Sequence, residues 1–284
     1  MASIALAASA AACGDVNAAL ERLSQAREVS ADLHVQFTKA ANGTDRAVMA
    51  DTDEASVAFA HEAEQAKQAV QHDVETLHPM LQGLGYADET RLLDDFSAHF
   101  AEYDQLDRRI LDLAVENTNL KAQRLSFGPA QDAADSFRDA IDAVAAAPAK
   151  DAWHVKALGA SAVTAVREIQ VLQAPHIAES DDAAMARIEK HMTSSEADAR
   201  RALETLATIA DPAARPHVVA ATDALNRFMA INAQILALSH RNTNVRSLAL
   251  SLNQKPALVK ACEEPLRALE DALAKRGYGV ARWK

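Results

Sequence analysis

The sequence predicts an all-α fold of two tandem antiparallel four-helix bundles arising from internal duplication, and three observations carry that reading. The 284 residues are alanine-rich and 49% hydrophobic, yet only 4% aromatic, with eight glycines and eight prolines as punctuation. That is the profile of long helices joined by few turns. Apolar residues also recur at alternating steps of three and four over long stretches, as a helix with one buried face requires. Finally, the second half of the chain repeats the first, segment by segment.

In order, the first helix is expected from about Val16 to Met49, its seam running Leu23, Ala26, Ser30, Leu33, Phe37, Ala40, Thr44, Ala47. Asp51-Thr52-Asp53-Glu54 reads as a turn carrying an N-cap, after which a second seam follows through Phe59, Ala63, Ala66, Val70, Val74 and Leu77 to the stop at Gly83 and Gly85. A third helix opens near Asp88 and holds its seam through Tyr103, Leu106, Ile110, Leu113, Asn117, Leu120, Arg124 and Phe127, where Phe127-Gly128-Pro129 is expected to break it. A short fourth helix reaches about Ala146. Ala147-Pro148-Ala149-Lys150 is read as the boundary between repeats, placing one bundle at 15–147 and the other at 150–277. Beyond it come helices from Trp153 to Ile177, Ala183 to Ile209, His217 to Leu252 with the seam Phe228, Ile231, Ile235, Leu238, Asn242, Val245, Ala249, Leu252, and Ala257 to Arg276. Pro79 and Pro175 are expected to kink their helices.

The repeats align beyond shared helicity. Ala50-Asp51-Thr52-Asp53-Glu54-Ala55 answers to Ala178-Glu179-Ser180-Asp181-Asp182-Ala183, and Ile110 to Ser126 answers to Ile235 to Ser251, with Asn117-Thr118-Asn119 against Asn242-Thr243-Asn244.

A net charge of −11 excludes broad attraction to nucleic acid or anionic lipid, both of which need a basic face. No run of 18 apolar residues is present, so no membrane span is expected. Residues 1–14 include the small apolar stretch Ile4 to Ala12 ending at Cys13, read either as a signal remnant or as the Ala-rich start of the first helix; the first basic residue is Arg22. The two cysteines, Cys13 and Cys262, are far apart and form no Cys-x-x-Cys pair; Cys262 falls on a seam and reads as a small buried apolar residue.

Glycine-rich nucleotide loops, phosphate loops and nucleophile elbows are all absent, so no catalytic residue and no cofactor is assigned. Glu75-Thr76-Leu77-His78 has the Glu-x-x-His spacing of di-metal bundles, but the second repeat carries Ala207 in place of His78 and both residues lie off the seam, so no metal ligand is assigned. The ten histidines show no i, i+4 pair and read as surface or boundary residues. Asn117 and Asn242 stand out because they lie in register with the apolar seams. A buried asparagine needs partners for its amide and in bundles commonly fixes register. The functional alternative pairs Asn117 with Lys121, and Asn242 with Arg246, as an amide and a cation one turn apart that could meet the carboxylate of a small acid.

At the stretch from Leu33 through Ala47-Val48-Met49-Ala50-Asp51-Thr52-Asp53, and again at Asn117-Thr118-Asn119, the chain resembles the periplasmic helical-bundle sensor domains of bacterial chemoreceptors. The duplicated pattern is similar to the bimodular form of those domains, and the resemblance covers most of both repeats. It implies a non-catalytic extracytoplasmic protein, periplasmic or lipid-anchored, that holds a small amino or organic acid between helices and pairs with a second copy or a signalling partner protein. The sequence carries no transmembrane flank, HAMP-like connector or cytoplasmic hairpin, so the expectation is a stand-alone or excised sensor region. A structural or protein-interaction module is the competing reading, and a ferritin-like metal-binding bundle a third.

Overall fold

The computed structural model describes residues 7–276, with side chains from residue 17; helices are the sole regular elements among them. The segment Ile4 to Cys13 lies outside the residues whose side chains are described. In chain order the helices are α1 (Ala7–Val48), α2 (Asp53–Gly83), α3 (Ala87–Glu116), α4 (Thr118–Leu125), α5 (Gln131–Ala146), α6 (Ala152–Ala178), α7 (Asp182–Ile209), α8 (Arg215–Arg241), α9 (Thr243–Asn253) and α10 (Lys255–Arg276). None of them is long and apolar enough to cross a membrane.

All eight residues of the first expected seam are buried, because a three–four spacing keeps them on one stripe of α1. The turns behave as their chemistry requires. Thr52 Oγ1 accepts from Ala55 N at 3.1 Å to open α2, and Asp181 Oδ1 accepts from Ala184 N at 2.7 Å to open α7, one residue beyond the position that aligns with Thr52. Phe127-Gly128-Pro129, expected to end a helix, does not. Residues Ser126–Ala130 form a single wide π-turn that carries the helix on into α5, a turn in which Pro129, lacking its N–H, is tolerated.

Two helices expected to be continuous are interrupted instead, at Asn117 between α3 and α4 and at Asn242 between α8 and α9. Both asparagines have φ of 51°, in the left-handed region, which ends one helical ladder and starts another with a new phase. The seam shifts accordingly. Beyond Asn117 the buried residues are Thr118, Asn119, Ala122 and Ser126, while Arg124 and Phe127, expected inside, are exposed; beyond Asn242 they are Thr243, Ser247 and Ser251, while Leu252 is exposed.

The chain divides into two compact units, one comprising the residues through Val115 and from Arg246 onward, the other Glu116–Val245. The expected spans 15–147 and 150–277 are therefore not the compact units, and the Ala147–Lys150 break lies inside the second unit, between α5 and α6. Burial is the physical reason: the last helix of each expected repeat buries its apolar stripe against helices assigned to the other. In the first unit Cys262, Leu266, Leu269 and Leu273 of α10 share a core with Leu33, Phe37, Leu77, Phe96 and Tyr103. In the second, Phe137 and Ile141 of α5 share a core with Val166, Ile169, Leu203, Leu206, Leu225 and Phe228. Cys262 is fully buried, and burial, the largest cause, pushes its thiol up to about 12, so it acts as an apolar filler.

Charge is also buried in the first unit. Lys67, 2% exposed, meets Glu64 at 2.6 Å and Asp104 and Asp107 at 3.0 Å each, while Asp107 Oδ1 accepts from Thr44 Oγ1 at 2.7 Å and Tyr103 OH at 3.0 Å. Burial opposes the ammonium, but Asp107 and the hydrogen bonds of Glu64 and Asp104 outweigh it, and Lys67 titrates above its usual value. At the end of α10, Arg276 grips the buried Glu89 of α3 through two bonds of 2.6 and 2.7 Å. Arg276 thereby holds the Glu89 carboxyl below its usual range against the opposing effect of burial.

Two expectations follow for stability. A Cβ on Gly43 would lie 3.0 Å from Ala63 Cβ and 3.1 Å from the α2 backbone, whereas one on Gly83 would meet nothing within 4 Å. In urea denaturation Gly43→Ala should lose about 1 kcal/mol or more despite alanine's better helix propensity, while Gly83→Ala should be neutral or gain up to about 1 kcal/mol. Because the folded pKa of Glu89 is depressed, its contribution is present above the ordinary glutamate value and is lost as pH falls through the depressed one. Glu89→Gln should therefore lower stability at pH 7 and flatten its decline in acid.

Candidate functional site

Within the Glu116–Val245 unit the two Asn-Thr-Asn segments meet and cap one another. The first N–H groups of a helix have no partner inside it. Here Thr118 N donates to Thr243 Oγ1 and Thr243 N donates to Thr118 Oγ1, both at 3.1 Å. Asn119 N donates to Asn244 Oδ1 at 3.1 Å and Asn244 N to Asn119 Oδ1 at 3.2 Å. The side-chain amides complete the exchange, Asn119 Nδ2 to Asn242 Oδ1 and Asn244 Nδ2 to Asn117 Oδ1, each at 2.8 Å. Every bond has its reciprocal, and the residues joined through backbone N–H groups sit at the 125-residue offset that the sequence alignment uses.

Two further bonds tie this crossing to the end of α6. Asn119 Nδ2 donates to Ile177 O at 2.6 Å, and Asn242 Nδ2 donates to Glu179 O at 2.7 Å. One turn back, His176 is fully buried, its Nδ1 2.9 Å from Ser239 Oγ, and that hydroxyl donates to His176 O at 2.8 Å. His176 Nε2 lies 2.8 Å from Glu189 Oε1 of α7, and His240 Nε2 of α8 lies 2.6 Å from the same oxygen. Burial would raise the Glu189 carboxyl, but the hydrogen bond of His176 and the charge and hydrogen bond of His240 override it and hold it below its usual range.

The four residues assigned from the sequence do not converge on a ligand-sized space. Asn117 and Asn242 are 1% and 6% exposed, and their amide oxygens are taken by Asn244 and Asn119. Asn117 Nδ2 has no acceptor among the described residues. Lys121 Nζ donates to Glu116 O at 2.7 Å, closing off the end of α3, while Arg246 is exposed and belongs to the other compact unit. Glu75 is exposed and His78 faces Asp94 at 3.2 Å, a solvated helix face.

A ligand-sized space does occur between α6 and α7 of the same unit, an open groove of about 580 Å³. Its walls include Arg167, Glu168, Val171, Leu172, Ser195 and Asp198. Arg167 is fixed by Asp135 at 3.0 Å and Gln170 at 2.9 Å, and Ser195 Oγ donates to Glu168 Oε2 at 2.9 Å. The sequence pass missed both the groove and His176. Arg167 and Glu168 precede the α6 seam residue Ile169 as ordinary surface charges, and the signal for His176 was its place next to Ile177 on a buried stripe.

The crossing generates a paired expectation. Leucine at 242 costs about 1–2 kcal/mol in the left-handed conformation, and the unpaired Glu179 carbonyl and Asn119 amide cost about 1–3 kcal/mol more. Asn242→Leu should therefore destabilise by about 2–5 kcal/mol in urea titration, and Asn242→Gly, which accepts the backbone conformation, by distinctly less. No protein family matches the chain, and no curated protein is similar to it at a significant level.

Proposed function

We propose that the chain is a non-enzymatic ligand-binding protein of the sensor type, taking a small amino acid or carboxylate in the groove between α6 and α7. The observation that carries this reading is the composition of that groove. A guanidinium, two carboxylates and hydroxyls stand around an apolar floor in about 580 Å³, within the roughly 300–1,000 Å³ typical of small-molecule sites. Arg167 supplies the planar fork that a carboxylate accepts, and Glu168 and Asp198 supply counter-charges for an ammonium. Their pre-existing bonds to Asp135, Gln170 and Ser195 reduce the ordering that binding would require.

The reciprocal 125-residue offset at the crossing supports the duplication read from the sequence, and so the chemoreceptor-like resemblance that rests on it. Under this reading the protein works outside the cytoplasm and passes occupancy of the groove to a second copy or a signalling partner.

A thermal-shift screen against amino acids and short mono- and dicarboxylates tests the proposal, since a ligand bound only by the folded state must raise Tm. At least one should raise Tm by several degrees, and Arg167→Ala should remove the shift while changing the ligand-free stability by no more than about 1 kcal/mol, the size of an exposed ion pair. A flat screen would overturn the ligand-binding reading in favour of a protein-interaction module.

A further inference from the structure

We propose that His176, Glu189 and His240 form a binding site for a divalent transition-metal ion of the zinc class, built from α6, α7 and α8. Among the described residues this is the one group of three such side chains whose ligand atoms all lie within 4.8 Å of one another. Three helices supply one ligand each, so the arrangement is a product of packing and not of a local motif.

Hydrogen bonding dictates which atoms face the centre. The His176 carbonyl can only accept, so the single O–H of Ser239 is spent on it at 2.8 Å. Ser239 Oγ must then accept from His176 Nδ1–H at 2.9 Å. With Nδ1 held by the serine, it is Nε2 that turns toward Glu189 Oε1 at 2.8 Å, and His240 Nε2 approaches the same oxygen at 2.6 Å. Two imidazole nitrogens that converge on one carboxylate oxygen are held there by protons, which a metal ion can displace. A buried imidazole with its far nitrogen hydrogen-bonded to a hydroxyl is the arrangement by which proteins orient a metal-ligating histidine.

The donor set selects the ion. Two imidazoles and one carboxylate suit zinc and its first-row neighbours, whereas calcium and magnesium take oxygen ligands. Zinc prefers about 2.0–2.2 Å to each donor in a tetrahedron, which asks the two histidine nitrogens to draw away from Glu189 Oε1 by roughly half to one ångström. Glu189 and His240, at 32% and 46% exposure, are free to make that adjustment, and the same exposure leaves a fourth position open to water. His176, fully buried and anchored through Ser239 beside the crossing, is the fixed member. The proposal stands apart from the α6–α7 groove: neither needs the other to be correct.

The test uses the full chain, purified without a histidine tag and stripped with chelator, and titrated with zinc chloride by calorimetry and thermal shift. One equivalent of zinc should bind and raise Tm, and cobalt(II) should give the visible absorption of a tetrahedral site; calcium and magnesium should do neither. His240→Ala and Glu189→Gln alter the exposed members and should keep the helical content of the metal-free protein while losing the zinc-dependent shift and the cobalt band. Absence of stoichiometric zinc binding in the unmodified chain would overturn the proposal, as would zinc binding that persists undiminished in both variants.

Discussion

Two short segments that hold each other's helix starts are the constraint from which the rest of the Glu116–Val245 unit follows. A helix that begins at Thr118 or Thr243 exposes N–H groups which its own preceding residue, locked in the left-handed conformation, does not cap. The partner segment caps them instead, so neither interruption is stable without the other. The cost of placing two L-residues at positive φ is met by asparagines, among the few residue types that adopt it readily, and by the bonds they exchange. Reciprocity of this kind is what an isologous contact between equivalent segments produces, here within one chain. The same asparagines hold the carbonyls of Ile177 and Glu179, and so fix where α6 ends and where His176 stands.

The first unit solves a different problem. Its α1, α2 and α3 carry polar residues on stripes that would otherwise be wholly apolar, and Lys67, Asp107, Thr44 and Tyr103 satisfy one another there. Buried ion pairs of this sort seldom add net stability, because desolvation offsets attraction, but removal of one member leaves a bare charge and is costly. Their effect is to admit only the helix register in which all members meet. Aromatic packing of Phe37 against Phe96, Phe100 and Tyr103, with ring centroids 5.2 to 6.2 Å apart, fills the neighbouring layer. Lys255 acts similarly at the start of α10, reaching Asp45 and Ala41 O at 2.6 Å each.

Both proposed sites of the second unit lie along α6. One stretch of it, Arg167 to Leu172, walls the groove with α7, and one turn further on His176 meets Glu189 and His240. The two places differ in chemistry. The groove sets opposite charges side by side, while the cluster gathers two imidazoles and a carboxylate. Both lie on helices whose positions are set by packing and by the crossing, as sites built between the helices of a bundle are.

The sequence by itself determined the helices, most of their ends and the stripes they bury, because three–four spacing and cap residues act within a few residues of themselves. Leu23 to Ala47, Thr52, Cys262 and the paired Asn-Thr-Asn segments were all legible in this way, and the burial of Asn117 and Asn242 followed from their place on a seam. Only the tertiary structure decided that those asparagines turn left-handed, that Pro129 sits in a π-turn, and that α5 shares a core with α6 to α8 and α10 with α1 to α3. A heptad pattern states which face of a helix is apolar but not which partner covers it, and any apolar stripe of suitable length satisfies the same local rule. His176, Glu189 and His240 escaped notice for the same reason: spacings of 13 and 51 residues carry no periodic signal, and their meeting depends on three helices being brought together by contacts made elsewhere.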